Sequence, residues 1–308
     1  MERAPTSNDP PAAPASAERL RPEALAPGTR LGPLAIERPI ARGASAVLYG
    51  ATDTETGVAV ALKALCPPVD DDEAAAAARD DFLARAQRAM ALQHPNIVRI
   101  YGGGQVRGVA FVAMELLAGS DLTRWSAPER RLPEPAVIEI AAQLADALAH
   151  AHRHGMVHRD VKPANVVYDP ARRRAVLTDF GLARAVDAQS TRSGVLLGSP
   201  HYMAPELLAG AAPDARSDLY ALGVLCFELL TGRPPFEAAG MGALLRAIAH
   251  EPPPRLAQLR PELDAAAALD DLLAPLLAKD PAERASDAAA WAEQARLQQL
   301  WLTAPPSP

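Results

Sequence analysis

Asp160, Lys162 and Asn165 fall in one short run, His158-Arg159-Asp160-Val161-Lys162-Pro163-Ala164-Asn165. Phosphoryl transfer asks for a carboxylate to orient and deprotonate an attacking hydroxyl, a cation for the transferring group and a metal ligand. This run supplies one of each. Further along, Asp179-Phe180-Gly181 follows the apolar stretch Ala175-Val176-Leu177, and a carboxylate there suits Mg²⁺ bridging β- and γ-phosphates. Upstream, Val60-Ala61-Leu62-Lys63 ends a β-rich run, where a strand can aim the lysine charge at a fixed target such as ATP phosphates. Met203-Ala204-Pro205-Glu206 closes the loop that begins at Asp179. Each fragment alone is bland, since a strand lysine is usually solvated and an isolated Asp-Phe-Gly is usually a turn. The ordered set carries the signal.

Positioning these groups takes two kinds of scaffold. From about Arg30 to Val112 the pattern predicts strands: Leu34 to Ile36, Ala46 to Tyr49 around a turn at Gly43, Val58 to Leu65, Asn96 to Tyr101 and Val109 to Met114. Between them, Asp70 to Leu92 is alanine-rich with Phe82, Ala86, Ala89 and Met90 at helical spacing. From Glu134 the pattern is mainly helical. Val137, Ile140, Ala141, Leu144 and Leu148 share one helix face, and Asp218 to Leu230 is apolar enough for a central buried helix. Strands first and helices after predict a two-lobed α+β fold.

Taken in order and at this spacing, the motifs resemble those of eukaryotic-type protein kinases, and are similar to the bacterial serine/threonine kinases, over about Arg30 to Leu300. The resemblance implies a β-rich N-lobe with one main helix (29–117) and a larger helical C-lobe (118–300), with a flexible arm at 1–28 and a tail at 301–308. It implies ATP and Mg²⁺ as cofactors. Asp160, Lys162 and Lys63 become the catalytic residues, and Asn165 and Asp179 the metal ligands. Nucleotide contacts are expected from Ile40, Ala41, Gly43, Leu48, Ala61, Lys63, Met114, Glu115, Leu117, Asn165 and Asp179, with the hinge running from Met114 through Leu117. Asp218 is expected to brace the His158-Arg159-Asp160 backbone, and Arg284 to pair with Glu206. Lys162 just after the base, and Gly198-Ser199-Pro200, resemble the serine/threonine class. Ser190, Thr191 and Ser193 then become candidate phosphorylation sites, with Arg159 a partner for the added phosphate.

Two departures stand out. The family's glycine-rich loop appears as Ala41-Arg42-Gly43-Ala44-Ser45-Ala46-Val47-Leu48, with only its middle glycine kept. Alanine permits close backbone approach but resists positive φ. The helix glutamate expected to pair with Lys63 falls, counting back from His94-Pro95, on Arg85. Lys63 is therefore expected to have no glutamate partner and the enzyme to be slow, or to need a partner or ligand, unless Asp81, one turn earlier, or a carboxylate from elsewhere substitutes.

The 308-residue chain is 49% hydrophobic and 22% charged with a formal net charge of -6, ordinary for a globular protein. The acidic balance argues against nucleic acid as the main partner. Cys66 and Cys226 are too few for a disulfide framework and fit a reducing compartment. No apolar run is long enough to span a membrane as a helix, and with no secretory leader the expected location is cytoplasmic. His150, His152, His154 and His158 cluster without evident further metal ligands. The expected activity is transfer of the ATP γ-phosphoryl group to protein serine or threonine, with protein substrates and an activating partner or dimer as partners. The alternative is a pseudokinase that signals by shape, favoured by Arg85; a small-molecule kinase of similar fold is a third reading.

Overall fold

The computed structural model describes residues 20–43, 45–66, 72–180, 200–263 and 265–303. The strands of the small lobe are β1 (Arg30–Leu31), β2 (Leu34–Arg42), β3 (Ala46–Asp53), β4 (Ala59–Leu65), β5 (Ile100–Val106) and β6 (Val109–Glu115), in sheet order β1-β2-β3-β4-β6-β5. All pairings are antiparallel, as the short connections require. β6 is buried on both faces through Met114. Helix α1 (Asp72–Ala89) lies against this sheet through Phe82, Ala86 and Ala89.

Asn96 to Arg99, expected as the start of a strand, instead form a connector. Val98 donates its N–H to Leu177 O at 3.0 Å, and Leu177 donates to Asn96 O at 2.8 Å. Asn96 O and Val98 N–H are therefore satisfied by the large lobe, Arg99 O accepts from Glu115 N–H of β6 at 2.8 Å, and β5 begins only at Ile100. The composition of residues 1–28 predicts a flexible arm. Leu20 to Gly28 is instead ordered, with a 3-10 turn at Pro22–Ala24 and Leu25 buried. The reason is a docking surface on β3, which local composition cannot reveal. The far end likewise stays helical to Thr303.

The large lobe begins with a small sheet of β7 (Ser120–Asp121), β8 (Val166–Asp169) and β9 (Arg174–Leu177). Its helices are α2 (Glu134–Arg153), α3 (Pro205–Leu208), α4 (Ala215–Thr231), α5 (Met241–His250), α6 (Leu256–Leu259), α7 (Ala266–Leu277) and α8 (Ala288–Thr303). Helix α2 starts with Glu134 and a proline in its first turn and ends on His150, His152 and Arg153, so its terminal charges suit the helix dipole and the proline's missing N–H costs nothing there. Helix α4 is buried on nearly every face. A capping box between Asp214 and Ser217 starts it, and Gly232 in a left-handed conformation (φ 83) ends it. At Gly223 a Cβ would sit 2.7 Å from Leu276 Cβ, so this glycine sets the close approach of α4 to α7. One contiguous apolar cluster joins α2, α4, α7 and α8 to the underside of the small lobe; a second fills the top of the small lobe. Among the described residues, no helix is long and apolar enough to cross a membrane.

Candidate active site

The sheet register lines up the nucleotide-side residues expected from the sequence. Ala41 pairs with Leu48, Leu48 with Lys63, and Lys63 with Val112, one row running from the β2–β3 turn to the sheet centre. One pleat along, Ala61 pairs with Met114. Ala61, Met114, Leu48 and Leu117 all pack into the main apolar cluster, so the roof and the hinge side present a continuous apolar wall. Ile40 stays partly exposed. Gly43 N–H bonds Ala46 O at 2.9 Å to close the turn, while Ala44 lies outside the described residues. Neither Ala41 nor Ala46 takes positive φ. Both alanines are therefore accommodated without the strain that a left-handed conformation would impose.

Below this roof, the short run from His158 to Asn165 is folded around buried Asp218. Asp218 accepts from His158 N–H and Arg159 N–H, each at 2.8 Å, and bonds His152 Nε2 at 2.9 Å. That brace holds Arg159 in the left-handed region at φ 72, where a non-glycine residue costs roughly 1–3 kcal/mol. The expectation that Asp218 supports this backbone holds, and His152 is an additional partner that no spacing rule pointed to.

The chemical groups then form a connected set. The Asp160 carboxylate meets Lys162 Nζ at 2.7 Å and accepts from Asn165 Nδ2 at 2.7 Å. Asn165 O accepts from Thr178 N–H at 2.8 Å and from its hydroxyl at 3.0 Å. Thr178 O in turn meets His158 Nε2 at 2.8 Å. The His158 ring stands edge-on to Phe180 with centroids 4.5 Å apart. Next along the chain, Asp179 takes positive φ (62), and its Oδ1 meets Lys63 Nζ at 2.6 Å. Hydrogen bonds and ring packing thus tie Lys63, Asp179 and Asp160 into one connected array. Thr178 carries no motif of its own; its position between β9 and Asp179 is the only sequence signal that marks it.

Lys63 has no glutamate at its ammonium among the described contacts; it meets the Asp179 carboxylate, the case in which a carboxylate from elsewhere serves. Asp81 lies 2.8 Å from Arg85 Nε along the same helix face, so Asp81 is occupied by Arg85. The i,i+4 spacing explains this: two opposite charges one turn apart pair locally before either reaches across to β4.

As to metal, Asn165 spends its amide N–H groups on Asp160 and leaves Oδ1 as an oxygen donor, and Asp179 contributes a carboxylate. Two hard oxygen ligands plus nucleotide phosphates suit Mg²⁺, which keeps few protein ligands. Among the described residues, no cluster of three or more histidine, cysteine or carboxylate side chains could hold a metal by itself. His94, before β5, packs its ring against His150 of α2, and His150 against His154 just past the helix end, at centroid distances of 5.3 and 4.4 Å.

Around the site, two ion pairs fix the hinge and the end of the loop. Glu115 is held by Arg174 at 2.7 and 3.3 Å. This contact from the C-lobe to the hinge was not apparent in the sequence. Glu206 is held by fully buried Arg284 at 2.7 and 3.0 Å, as expected. Arg284 also bonds Ala278 O and Arg216 O, which satisfies the buried guanidinium. Gly181, Ser190, Thr191, Ser193, Gly198 and Ser199 lie outside the described residues.

Residues 34–302 match the protein kinase domain family. The chain is 36% identical over 266 residues to serine/threonine-protein kinase pkn3 of Myxococcus xanthus, covering 83% of this chain and 48% of that protein. It is 36% identical over 278 residues to serine/threonine-protein kinase PknJ of Mycobacterium tuberculosis, covering 88% and 46%. With PknD of the same species it shares 38% over 262 residues, covering 83% and 38%. It therefore spans half or less of the length of these relatives. Among solved structures, Rad53 in complex with AMP-PNP superposes with a TM-score of 0.67 at 27% identity, over 85% of this chain and 64% of that one. Motif order, two-lobed fold, site geometry and these likenesses agree: the chain belongs to the protein kinase family, in its bacterial serine/threonine branch, whose members use ATP.

Proposed function

We propose that this domain transfers the γ-phosphoryl group of ATP to serine or threonine hydroxyls of protein substrates, with Mg²⁺ held by Asn165 and Asp179. The observation that carries the reading is the Asp160 carboxylate, fixed between Lys162 Nζ and Asn165 Nδ2 at 2.7 Å each. A carboxylate so placed orients the incoming hydroxyl and takes its proton as the bond to phosphorus forms. Lys162 offsets charge developing on the transferring group, and Lys63 steadies the phosphates from above. Bound Mg²⁺ neutralises phosphate charge. Ile40, Ala41, Gly43 and Leu48 form the lid over the nucleotide, and Ala61, Met114, Glu115 and Leu117 form the adenine side. Ser190, Thr191 and Ser193 are proposed acceptors of self-phosphorylation, with Arg159 as the phosphate's partner, and activation through a partner or dimer is proposed alongside.

The test is incubation with radiolabelled ATP and Mg²⁺, with and without a generic basic protein substrate. Labelling that disappears in Asp160→Asn supports transfer, and mass spectrometry of the loop peptides locates the acceptors. A second reading, a nucleotide-binding pseudokinase, is favoured by the pairing of Arg85 with Asp81. ATP binding without any label transfer in the wild type would decide for it.

A further inference from the structure

The ordered strap from Leu20 to Leu25 lies over the small lobe beside the lid. Leu25 joins the upper apolar cluster with Leu34, Val47 and Tyr49. Tyr49, itself buried, uses both capacities of its hydroxyl on the strap, donating to Pro22 O at 2.8 Å and accepting from Leu25 N–H at 3.3 Å. Arg42, adjacent to Gly43, donates to Glu23 O. The strap is thus tied to β3 at one point and to the lid strand at another.

The lid strand needs such a tie. β1 pairs only with Ala35 and Leu34, so beyond Ile36 strand β2 has β3 as its sole neighbour among the described residues. That pairing is interrupted by register shifts at Ile36/Arg38 and Pro39/Ala41. Glu37 to Arg42 are exposed, and Pro39 has no N–H to give. A bulged edge strand with one neighbour is held weakly. A cleft of about 320 Å³, lined by Glu23, Leu25, Ile40, Arg42 and Tyr49 among others, separates strap from strand. The polar ties, more than packing, therefore connect them.

We infer that the Leu20–Leu25 strap positions the nucleotide lid, with Arg42 as the positioning residue and Tyr49 as its anchor, so that a segment remote from the phosphates strengthens ATP binding. This rests on Ala41 to Leu48 acting as the lid. Held by Glu23 O, Arg42 fixes the neighbouring Gly43 amide and limits how far the turn can lift.

The experiment uses the full chain carrying Arg42→Ala, Arg42→Lys, Tyr49→Phe or the Arg42→Ala/Tyr49→Phe pair. ATP affinity is read by titration with a fluorescent ATP analogue, and transfer to a generic substrate gives KM and kcat. Thermal melting confirms that each variant folds; Tyr49→Phe keeps the ring in the core. Arg42→Ala and Tyr49→Phe should each weaken binding roughly three- to tenfold, the loss expected for one hydrogen bond, with kcat changed less than about twofold. Arg42→Lys, which keeps a donor, should bind nearly as wild type. The double variant should be no weaker than the worse single one, because both act through the same strap. Wild-type affinity in Tyr49→Phe, or additive losses in the double variant, would overturn the inference. Gly43→Val separates this from the lid reading. If it binds ATP normally, the lid assignment itself is wrong and the inference falls with it. If it binds poorly while the strap variants bind normally, the lid stands and the strap has no such role.

Discussion

Lys63 and Asp179 are 2.6 Å apart, a pairing that ties the strand lysine to the metal side of the site. Replacing Asp179 by Asn keeps its size but removes the charge that faces Lys63 and that, in the proposed mechanism, would hold Mg²⁺. Asp179→Asn and Asp160→Asn should each lower transfer by about 10²-fold or more with melting temperature unchanged, because the proposed mechanism has both groups acting in the transition state. Retained transfer in Asp179→Asn would remove the metal assignment. Asp81 answers a different question. Since it pairs with Arg85, Asp81→Ala should leave the rate within a few-fold of wild type. Lys63→Met, by contrast, should cost about 10- to 150-fold, the worth of one charge-assisted hydrogen bond. A crippled Asp81→Ala enzyme would mean that the helix carboxylate reaches Lys63 during turnover. Much of this chemistry was legible in the sequence, because Asp160, Asn165 and Asp179 sit in contiguous motifs. The partner of Lys63 was not: it depends on whether α1 pairs within itself or across to β4, and only packing decides that.

Among the elements, α5 shows how a charge can close a helix. Lys279 Nζ donates to Ile248 O at 2.5 Å, at the C-terminal end of α5, and lies 3.8 Å from the centre of the Phe236 ring. Burial lowers its pKa to about 8, while the ring and the helix carbonyls hold the ammonium in place. Between about pH 8 and its ordinary value of 10.5, the folded state has released a proton that the unfolded chain still keeps. This group's contribution to stability therefore rises with pH across that window. Thermal melts of wild type and Lys279→Met from pH 7 to 10 should differ in slope in that sense; equal slopes would refute it. Asp218→Ala tests the neighbouring α4. It strips a buried acceptor from His158 and Arg159 N–H, and should cost on the order of 3 kcal/mol by denaturant titration. The apolar face of α2 and the nearly unbroken apolar run of α4 announced both helices. The ordering of Leu20 to Leu25 had no comparable signal, because its partner Tyr49 lies in a different strand and acts through a single hydroxyl.

At the scale of the molecule, two lobes were readable from the switch between strand-rich and helix-rich patterning, whereas the join between them was not. Part of that join is a stack of His94, from the segment before β5, on His150 and His154 of α2. Burial, reinforced in each by a neighbouring histidine, lowers the pKa of His94 and His150 below 6.5. As pH falls through 6.5 the unfolded chain takes up these protons first, so stability declines on the acid side and is fully present above it. His150→Gln should flatten the melting profile between pH 5 and 7, within the range set by those histidines; an unchanged profile would exclude the stack as its source.

The other part of the join is the pair of backbone hydrogen bonds linking Val98 and Asn96 to Leu177. Mechanically it is an axle. The strand that ends at Leu177 leads through Thr178 into Asp179, so Asp179 is mounted on the same seam that joins the small lobe to the large one. Opening the lobes by rotation about this seam would sweep the roof at Lys63 through a long arc while Asp179 travelled little. Such opening would break the Lys63–Asp179 pair while leaving the large-lobe side of the site in place, and in hydrogen exchange the amides of Val98 and Leu177 should stay protected when those of Leu116 and Leu117 do not.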